Sequence, residues 1–544
     1  MAIIPLPFEV RSQVGEAFGL SAATRIVAEP ELLPLVEWFR TALREVAGLN
    51  LDPDPTKGAA ISLVLAEDLA AFDGLPVTGG VRADDGDPHS ERYVLSISTS
   101  GVEIMAATNE GVFRGLTTLV QLAATAEVGS DGSPLLEPAE IRDAPRFAWR
   151  GLSFDVVRTF FSAAEVKRVI DLIALYKFNV LHLHLTDAEG WRIEIDAWPK
   201  LTEVGGQTAR DGRPGGFYSK DAFREIVRYA AERFVTIVPE FEMPGHTAAI
   251  YRAYPELAGD GTNPATTNAD RDPHFQVMHP DNPRILGFVA DVLAEIAELT
   301  PGAWLHLGGD EALGMDADLY SRFMNGAMPI VHGLGKRVVA WQEASRAGLV
   351  AGDIAQQWIS PDIIERAKAA DPASLDETRR AWVEMLRLAV GDLDRALEQG
   401  AWILMSQQSK SYLDTTYRER SVDDAQADLQ VRLGLTGYTP STVAEFFSWD
   451  PVTIREGLVE DRIAGVEAAL WCETVTSLDD AGFLMLPRLP GVAEKGWSAP
   501  VDDENAAWEG YRARLATQTE VWDPLGWPYF RSEVVWGEDE EIRK

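Results

Sequence analysis

The sequence predicts an α/β protein whose larger part is a parallel (β/α)8 barrel, a TIM barrel, preceded by a small α+β domain with an antiparallel sheet. Three observations predict this. From residue 146 onward, short apolar runs of strand length alternate with stretches of helical period. Eight such runs can be placed: Gly151–Val156, Asn179–Leu185, Phe234–Phe241, Ala303–Leu307, Arg337–Trp341, Asp353–Trp358, Ala401–Ser406 and Gly465–Trp471. Their C-terminal ends carry the polar residues, which is where a barrel opens its βα loops. The periods alone also fit an open doubly wound sheet. No Gly-rich phosphate loop follows any run, which weakens the nucleotide-binding version of that alternative.

The elements follow in chain order. Leu33, Val36, Phe39, Leu43 and Val46 fall at helical spacing. Ala60–Leu65, Arg92–Ser98 and Val102–Ala106 read as strands, the polar stretch Gly79–Ser90 as a loop, and Gly111–Ala123 as a helix. Residues 1–140 therefore form the first domain, and Leu136–Pro145, with its two prolines, reads as its exit linker. The barrel spans residues 146–498. Between its first two strands, Val166, Val169, Ile170, Ile173 and Tyr176 mark one apolar helix face. Two segments exceed ordinary barrel loops and read as insertions near the mouth: charged, helix-patterned 369–399, and 418–439, acidic and then Gly/Leu-rich. Residues 499–544, helical in spacing and rich in tryptophan, read as an extension packed on the barrel.

Composition narrows the function classes. The 544 residues have 46% hydrophobic content and a formal net charge of −36. Such a field repels phosphate backbones and anionic lipid, so neither nucleic acid nor a membrane surface is expected as a partner. Cys472 is the single cysteine, which rules out an intrachain disulfide. The opening residues show no basic segment followed by an apolar one, so the expectation is a cytoplasmic chain; a secreted mature form reads the same way. Oligomeric state is not legible.

The strand ends hold the candidate chemistry. The second run ends in His182-Leu-His184-Leu-Thr-Asp187, the third in Pro239-Glu-Phe-Glu-Met-Pro-Gly-His246, the fourth in His306-Leu-Gly-Gly-Asp310-Glu311. Runs five, six and eight end at Trp341, Trp358 and Trp471, the last continuing to Glu473. Carboxylates move protons and accept from hydroxyls, and aromatic faces stack on the C–H surfaces of pyranoses. That combination suits a sugar. Each residue also has a structural reading: a strand-end carboxylate caps the next helix, and a tryptophan fills core. His182 and His184 share one strand face, as lumen histidines or as a His-x-His metal pair that His246, His306 and Asp310 could complete. A sugar-binding barrel without catalysis is a further alternative.

Arg150-Gly151, Asp155 and Arg158 begin a resemblance that strengthens at His184-Leu-Thr-Asp187-Ala-Glu-Gly-Trp191-Arg192 and Glu240-Phe-Glu-Met-Pro-Gly-His246. It peaks at His306-Leu-Gly-Gly-Asp310-Glu311 and continues through Trp341-Gln-Glu343, Gln357-Trp358, Tyr412-Leu-Asp414, Trp449-Asp-Pro451 and Glu467-Ala-Ala-Leu-Trp471-Cys-Glu473. These motifs, in this order, resemble glycoside hydrolase family 20, the β-N-acetylhexosaminidases. The resemblance covers the whole barrel and extends to the first 140 residues. Two departures stand out: Ala188 where many relatives carry a second acid, and Cys472 where glycine is usual.

The resemblance implies an exo-acting glycosidase that removes terminal β-linked GlcNAc or GalNAc, with no metal and no cofactor. It implies Glu311 as general acid and then base, Asp310 as the group that orients the substrate's acetamido, and Asp187 with His246 as a relay behind Glu311. It implies that Arg150 and Glu473 bind outer hydroxyls. Trp341, Trp358 and Trp449 would wall the acetamido pocket or mouth, Trp471 would stack under the sugar, and Tyr412 would donate to the acetamido oxygen with Asp414 nearby. Such enzymes are exceptions to the usual pair of protein carboxylates: the substrate's own amide is the nucleophile.

Overall fold

The computed structural model describes residues 1–51, 59–258, 273–455 and 457–537. Eight parallel strands close into a barrel in chain order: Trp149–Asp155, Val180–His184, Thr236–Met243, Trp304–Gly308, Arg337–Trp341, Ile354–Gln357, Trp402–Met405 and Ile463–Leu470. Closure rests on the first and last strands, which pair from Trp149↔Gly465 to Phe154↔Leu470. Almost every strand residue is buried, because one face meets the lumen and the other the ring of helices. Helix Ala163–Leu175 shows the local logic. Ser162 and Glu165 form a reciprocal capping box, and Val166, Val169, Ile170 and Ile173 are buried against the strands.

The first domain is a six-stranded mixed sheet in the order Glu9–Ser12, Ala139–Asp143, Tyr93–Ser98, Gly101–Ala106, Ala60–Leu65, Arg25–Val27. The first three pairings are antiparallel and the last two parallel. The stretch expected to be an exit linker is therefore partly a sheet strand. Pro138 and Pro145 flank it rather than break it, and Ala139, Ile141 and Asp143 alternate inward between them. Helix Asn109–Ala124 is buried nearly all round, since it lies between this sheet and the barrel. Gln121 Nε2 donates to the Leu175 carbonyl at 2.9 Å, tying the helix to the barrel.

Gly79–Ser90 is a loop, but it is also the plug of the barrel's lower end. Val81 N donates to Ala464 O at 3.3 Å, and Trp304 Nε1 to Arg82 O at 3.1 Å. Gly80 has φ of 83°, and a Cβ there would stand 2.0 Å from Ala464 O, so glycine is required. Above the plug lies an apolar layer that includes Trp149, Trp304, Val238, Val339 and Leu404.

The insertions differ from their expected limits. Helices Pro361–Ala369 and Glu377–Leu388 pack on each other beside the mouth. Asp392–Glu398, by contrast, packs against strand Trp402–Met405 and belongs to the outer helix ring. The first insertion thus begins and ends earlier than 369–399. In the tail, helices Glu504–Ala516, Thr519–Trp522 and Glu533–Trp536 follow one another. Trp522 Nε1 donates to the Tyr176 hydroxyl at 2.7 Å, and Gln518 Nε2 reaches Ala2 O at 3.3 Å, so the tail touches barrel and first domain alike. Residues 538–544 of that extension lie outside the described residues. Among the described residues no helix is long and apolar enough to cross a membrane.

Candidate active site

Side chains alternate along a strand, so inward positions two apart stack as layers in the lumen. Glu240 and Glu467 occupy a polar layer above the apolar plug. Glu240 meets His184 Nδ1 at 2.6 Å, His306 Nδ1 at 2.8 Å and His182 Nε2 at 3.1 Å. Glu467 takes His182 Nδ1 at 2.9 Å, Gln356 Nε2 at 2.9 Å and Trp149 Nε1 at 2.8 Å. Gly151 leaves room for this, since a Cβ there would collide with Glu467 Oε2. Burial pulls the histidine pKa values down, but the Glu240 carboxylate outweighs it and lifts His182 to about 10 and His184 to about 9. Both ring nitrogens of His182 and of His184 face carboxylates. The pair forms a buried ionic layer with Glu240 and Glu467.

At the mouth, Asp187 is the hub. Its Oδ2 contacts Arg158 Nη2 at 2.6 Å and His184 Nε2 at 2.9 Å, and its Oδ1 meets His246 Nδ1 at 3.2 Å. Although burial works the other way, Arg158 and His246 hold the Asp187 carboxyl well below the usual range. His246 Nε2 then points at both members of the adjacent pair: 3.7 Å to Asp310 Oδ2 and 3.6 Å to Glu311 Oε2. His274 Nε2 approaches the same Glu311 Oε2 at 3.6 Å, its ring meeting that of His246 with centroids 5.7 Å apart. His246 and Glu311 have φ of 54° and 50°, a region non-glycine residues avoid and active sites recruit. Burial, and after it the Asp310 charge, pushes the Glu311 pKa well up, with His246 opposing. The same burial and the same neighbouring charge favour the protonated form of Glu311, the form a general acid needs. His246 is pushed up too, since Asp187 and Asp310 outweigh burial.

Around these groups lies a cavity of about 160 Å³. Its aromatic walls are Trp358, Tyr412 and Trp471. Trp358 and Tyr412 stack at 9° with centroids 6.4 Å apart, and Trp471 meets Tyr412 at 66°. Arg158 lies over the Trp471 ring at 5.3 Å. Asp155 fixes it there, accepting from Arg158 N at 3.0 Å and from Cys472 N at 3.0 Å. Asp310 Oδ1 and Glu473 Oε2 are buried with no hydrogen-bond partner. Such atoms are costly unless a ligand completes them.

Most of the residues singled out in the sequence meet here: Asp187, His246, Asp310, Glu311, Trp358, Tyr412, Trp471 and Glu473 all line the cavity. Trp341 lies one layer down, buried under Trp471 at 5.9 Å, and donates Nε1 to Glu240 at 3.1 Å. Asp414 stands fully buried behind the wall, where its backbone carbonyl holds Leu435 N at 2.7 Å.

Two residues do not belong. Arg150 begins the first strand, so it lies at the lower end of the barrel. It is fully buried, donates to Glu91 and to the Lys177 and Phe147 carbonyls, and stacks on Trp497. Arg158, past the strand's upper end, lines the mouth cavity instead. Trp449 is likewise misplaced: it lines a groove with Leu6, Arg146 and Lys495, away from the carboxylate pair. Glu242, His274, Trp382, Leu435 and Tyr438 also line the cavity and went unassigned. Trp382 and Tyr438 fall in the two stretches whose excess length marked them as insertions at the mouth, which was the available signal.

Fold and site together define a barrel enzyme that cleaves a sugar. Residues 147–500 match the catalytic domain of glycosyl hydrolase family 20, and residues 1–144 match domain 2 of that family. The chain is 35% identical over 542 residues to a β-N-acetylhexosaminidase of Cellulomonas fimi, across 98% of this chain and 97% of that one. The solved GH20 β-N-acetylhexosaminidase of Streptomyces coelicolor A3(2) matches with a TM-score of 0.81 and 35% identity, covering 99% of each chain. A mutant Streptomyces plicatus β-hexosaminidase in complex with the product GlcNAc matches with a TM-score of 0.81 and 34% identity, across 99% of this chain and 98% of that one. The chain belongs to glycosyl hydrolase family 20, the β-N-acetylhexosaminidases.

Proposed function

We infer that this protein is an exo-acting, retaining β-N-acetylhexosaminidase that releases terminal β-linked N-acetylhexosamine with the substrate's acetamido group as nucleophile. The observation that carries the reading is the adjacent pair at the end of the fourth strand. Burial and the Asp310 charge favour the protonated form of Glu311, while Asp310, on the lining of the same aromatic-walled cavity, keeps a buried carboxylate oxygen without a partner. A cavity of about 160 Å³ is on the scale of one sugar ring rather than a chain of them, which supports exo action.

In this reading Trp471 stacks under the ring, and Arg158 and Glu473 take outer hydroxyls. Tyr412 donates to the acetamido oxygen and Asp310 accepts from its N–H. That oxygen attacks the anomeric carbon as Glu311 gives its proton to the leaving oxygen. The product is a bicyclic oxazolinium ion, whose positive nitrogen Asp310 stabilises. Holding the nucleophile within the substrate exploits effective molarity. The Glu311 carboxylate left behind lies 3.6 Å from His246, whose charge Asp187 sustains. Glu311 then takes a proton from water as that water opens the ion, with net retention. The partner is a carbohydrate; neither nucleic acid nor a membrane surface takes part, in keeping with the net charge of −36.

The test compares an aryl β-N-acetylglucosaminide with the aryl β-glucoside of the same leaving group, in excess chelator. The first should be hydrolysed with retention and the second scarcely at all, and Asp310→Asn should lose most turnover while keeping its fold. Equal rates on the two glycosides, or an activity abolished by chelation, would refute the reading.

A further inference from the structure

A second cavity, of about 460 Å³, adjoins the catalytic one. The two share Trp358, Trp382, Leu435 and Tyr438, so a ligand bound in one borders the other. The second cavity is built by the first insertion. Helices Pro361–Ala369 and Glu377–Leu388 pack together and turn Ile363, Ala367, Val383 and Leu386 toward it. No reading of the catalytic pocket uses these four residues.

The lining chemistry selects the occupant. Trp358 donates its indole N–H to Glu343 Oε2 at 3.1 Å, so its hydrogen-bonding edge is already engaged. Arg366 is the charged residue of the lining, and it is exposed and within 3.4 Å of Asp362. A second sugar seated against Ile363, Ala367, Val383 and Leu386 would strand its hydroxyls on carbon, at a cost. An alkyl or alicyclic group would lose nothing and would leave water. The volume lies within the roughly 300–1,000 Å³ of sites that enclose whole small molecules.

We propose that this cavity is the aglycone site, and that it takes an apolar alcohol, aliphatic or alicyclic, joined by its oxygen to the sugar held beside Glu311. The proposal rests on the glycosidase reading given above. In the cleavage step Glu311 protonates the alcohol oxygen as its bond to the anomeric carbon breaks, and the alcohol departs through the open side of the insertion.

The test measures kcat/KM of the full chain on methyl, butyl and octyl β-N-acetylglucosaminides, with N,N′-diacetylchitobiose as the sugar-aglycone control. Alkyl leaving oxygens differ little in basicity, so a gain with length reports burial. Each methylene that enters the cavity should raise kcat/KM about fourfold, which brings butyl, three methylenes longer, to about 60 times methyl, with octyl higher still until the slope levels off. Val383→Asp, which places a charge in the cavity, and Ala367→Phe, which fills it, should flatten the series while leaving the methyl glycoside unchanged. A flat series in the unmodified protein overturns the proposal whether or not the variants fold. So does chitobiose outpacing the octyl glycoside. In both cases turnover of the methyl glycoside leaves the glycosidase reading standing. No turnover of alkyl, aryl or chitobiose substrates removes that reading and this one with it.

Discussion

The two ends of the barrel use the same kinds of residue for opposite purposes. At the lower end, Glu91 accepts from Arg82, Arg114 and Arg150, and Glu110 accepts from Arg82, Arg114 and Ser90. None of these five charged side chains is left with a buried unpartnered atom. The cluster joins the first domain to the barrel, because Arg150 starts the first strand while the other members precede it in the chain. At the upper end the carboxylates are underfilled. Glu242, Asp310, Glu343 and Glu473 each keep a buried oxygen without a hydrogen-bond partner, and Asp414 keeps two. A closed network holds elements together; an open one waits for a ligand. The mouth therefore carries a cost in stability that the lower end helps offset.

The largest expected effect is at Glu311. Glu311→Gln should lower kcat/KM by about 10²–10⁴-fold on poor leaving groups, since the general acid is gone. Glycosylation should suffer less with a good phenol, whose oxygen needs little protonation. Because the variant removes a buried acid that is costly to ionise, its unfolding midpoint should hold or rise. A large fall in the midpoint would mean that the mouth is structural after all.

Next comes a paired substitution of the two arginines. Arg150→Met removes one partner from a closed buried cluster and should cost about 3–5 kcal/mol in denaturant unfolding. The folded fraction should keep its kcat. Arg158→Met should do the reverse, raising KM and lowering kcat at a smaller cost in stability. If Arg150→Met proved as stable as the parent and poor in catalysis, the contrast between the two ends would collapse.

The smallest effect is on pH. The lumen layer has His182 at about 10 and His184 at about 9, both above the ordinary 6.5. Raised histidine values stabilise the fold fully below 6.5, and that contribution is lost as pH climbs through 9 and 10. Glu343, pushed up by burial to about 8, adds a loss of the same sign between 4.5 and 8. Unfolding free energy should thus decline with rising pH across the neutral and alkaline range. His182→Gln should show a shallower decline between pH 6.5 and 10. The same slope in variant and parent would mean that His182 is neutral in the folded protein.

Much of this was legible in the sequence, for physical reasons. The eight strands are short apolar runs with helices between, and their period is a local property. All eight fall within a few residues of their expected places. The carboxylates and tryptophans at strand ends were legible because a parallel barrel sends every strand's C-terminus to one mouth. That same rule could have placed the arginines. Arg150 lies next to the N-terminal end of its strand and Arg158 follows the strand, so of the two only Arg158 can reach the mouth. Trp449 is a different case. It lies on the long connection between the seventh and eighth strands, and nothing local tells where that chain has returned to the lower end.

The sequence by itself determined eight strand-length runs alternating with helices, the Asp310–Glu311 pair at the end of the fourth, and the shared strand face of His182 and His184. These follow from periods of two and 3.6 residues and from strand polarity, which neighbours along the chain enforce. Tertiary structure alone decided that Pro138 and Pro145 bracket a sheet strand, that Gly79–Ser90 plugs the barrel, and that Trp382 and Tyr438 meet across the mouth from two insertions. It also decided which carboxylates are neutralised by partners and which are left open. Those outcomes depend on segments tens to hundreds of residues apart, and on burial that exists only once the chain has closed on itself.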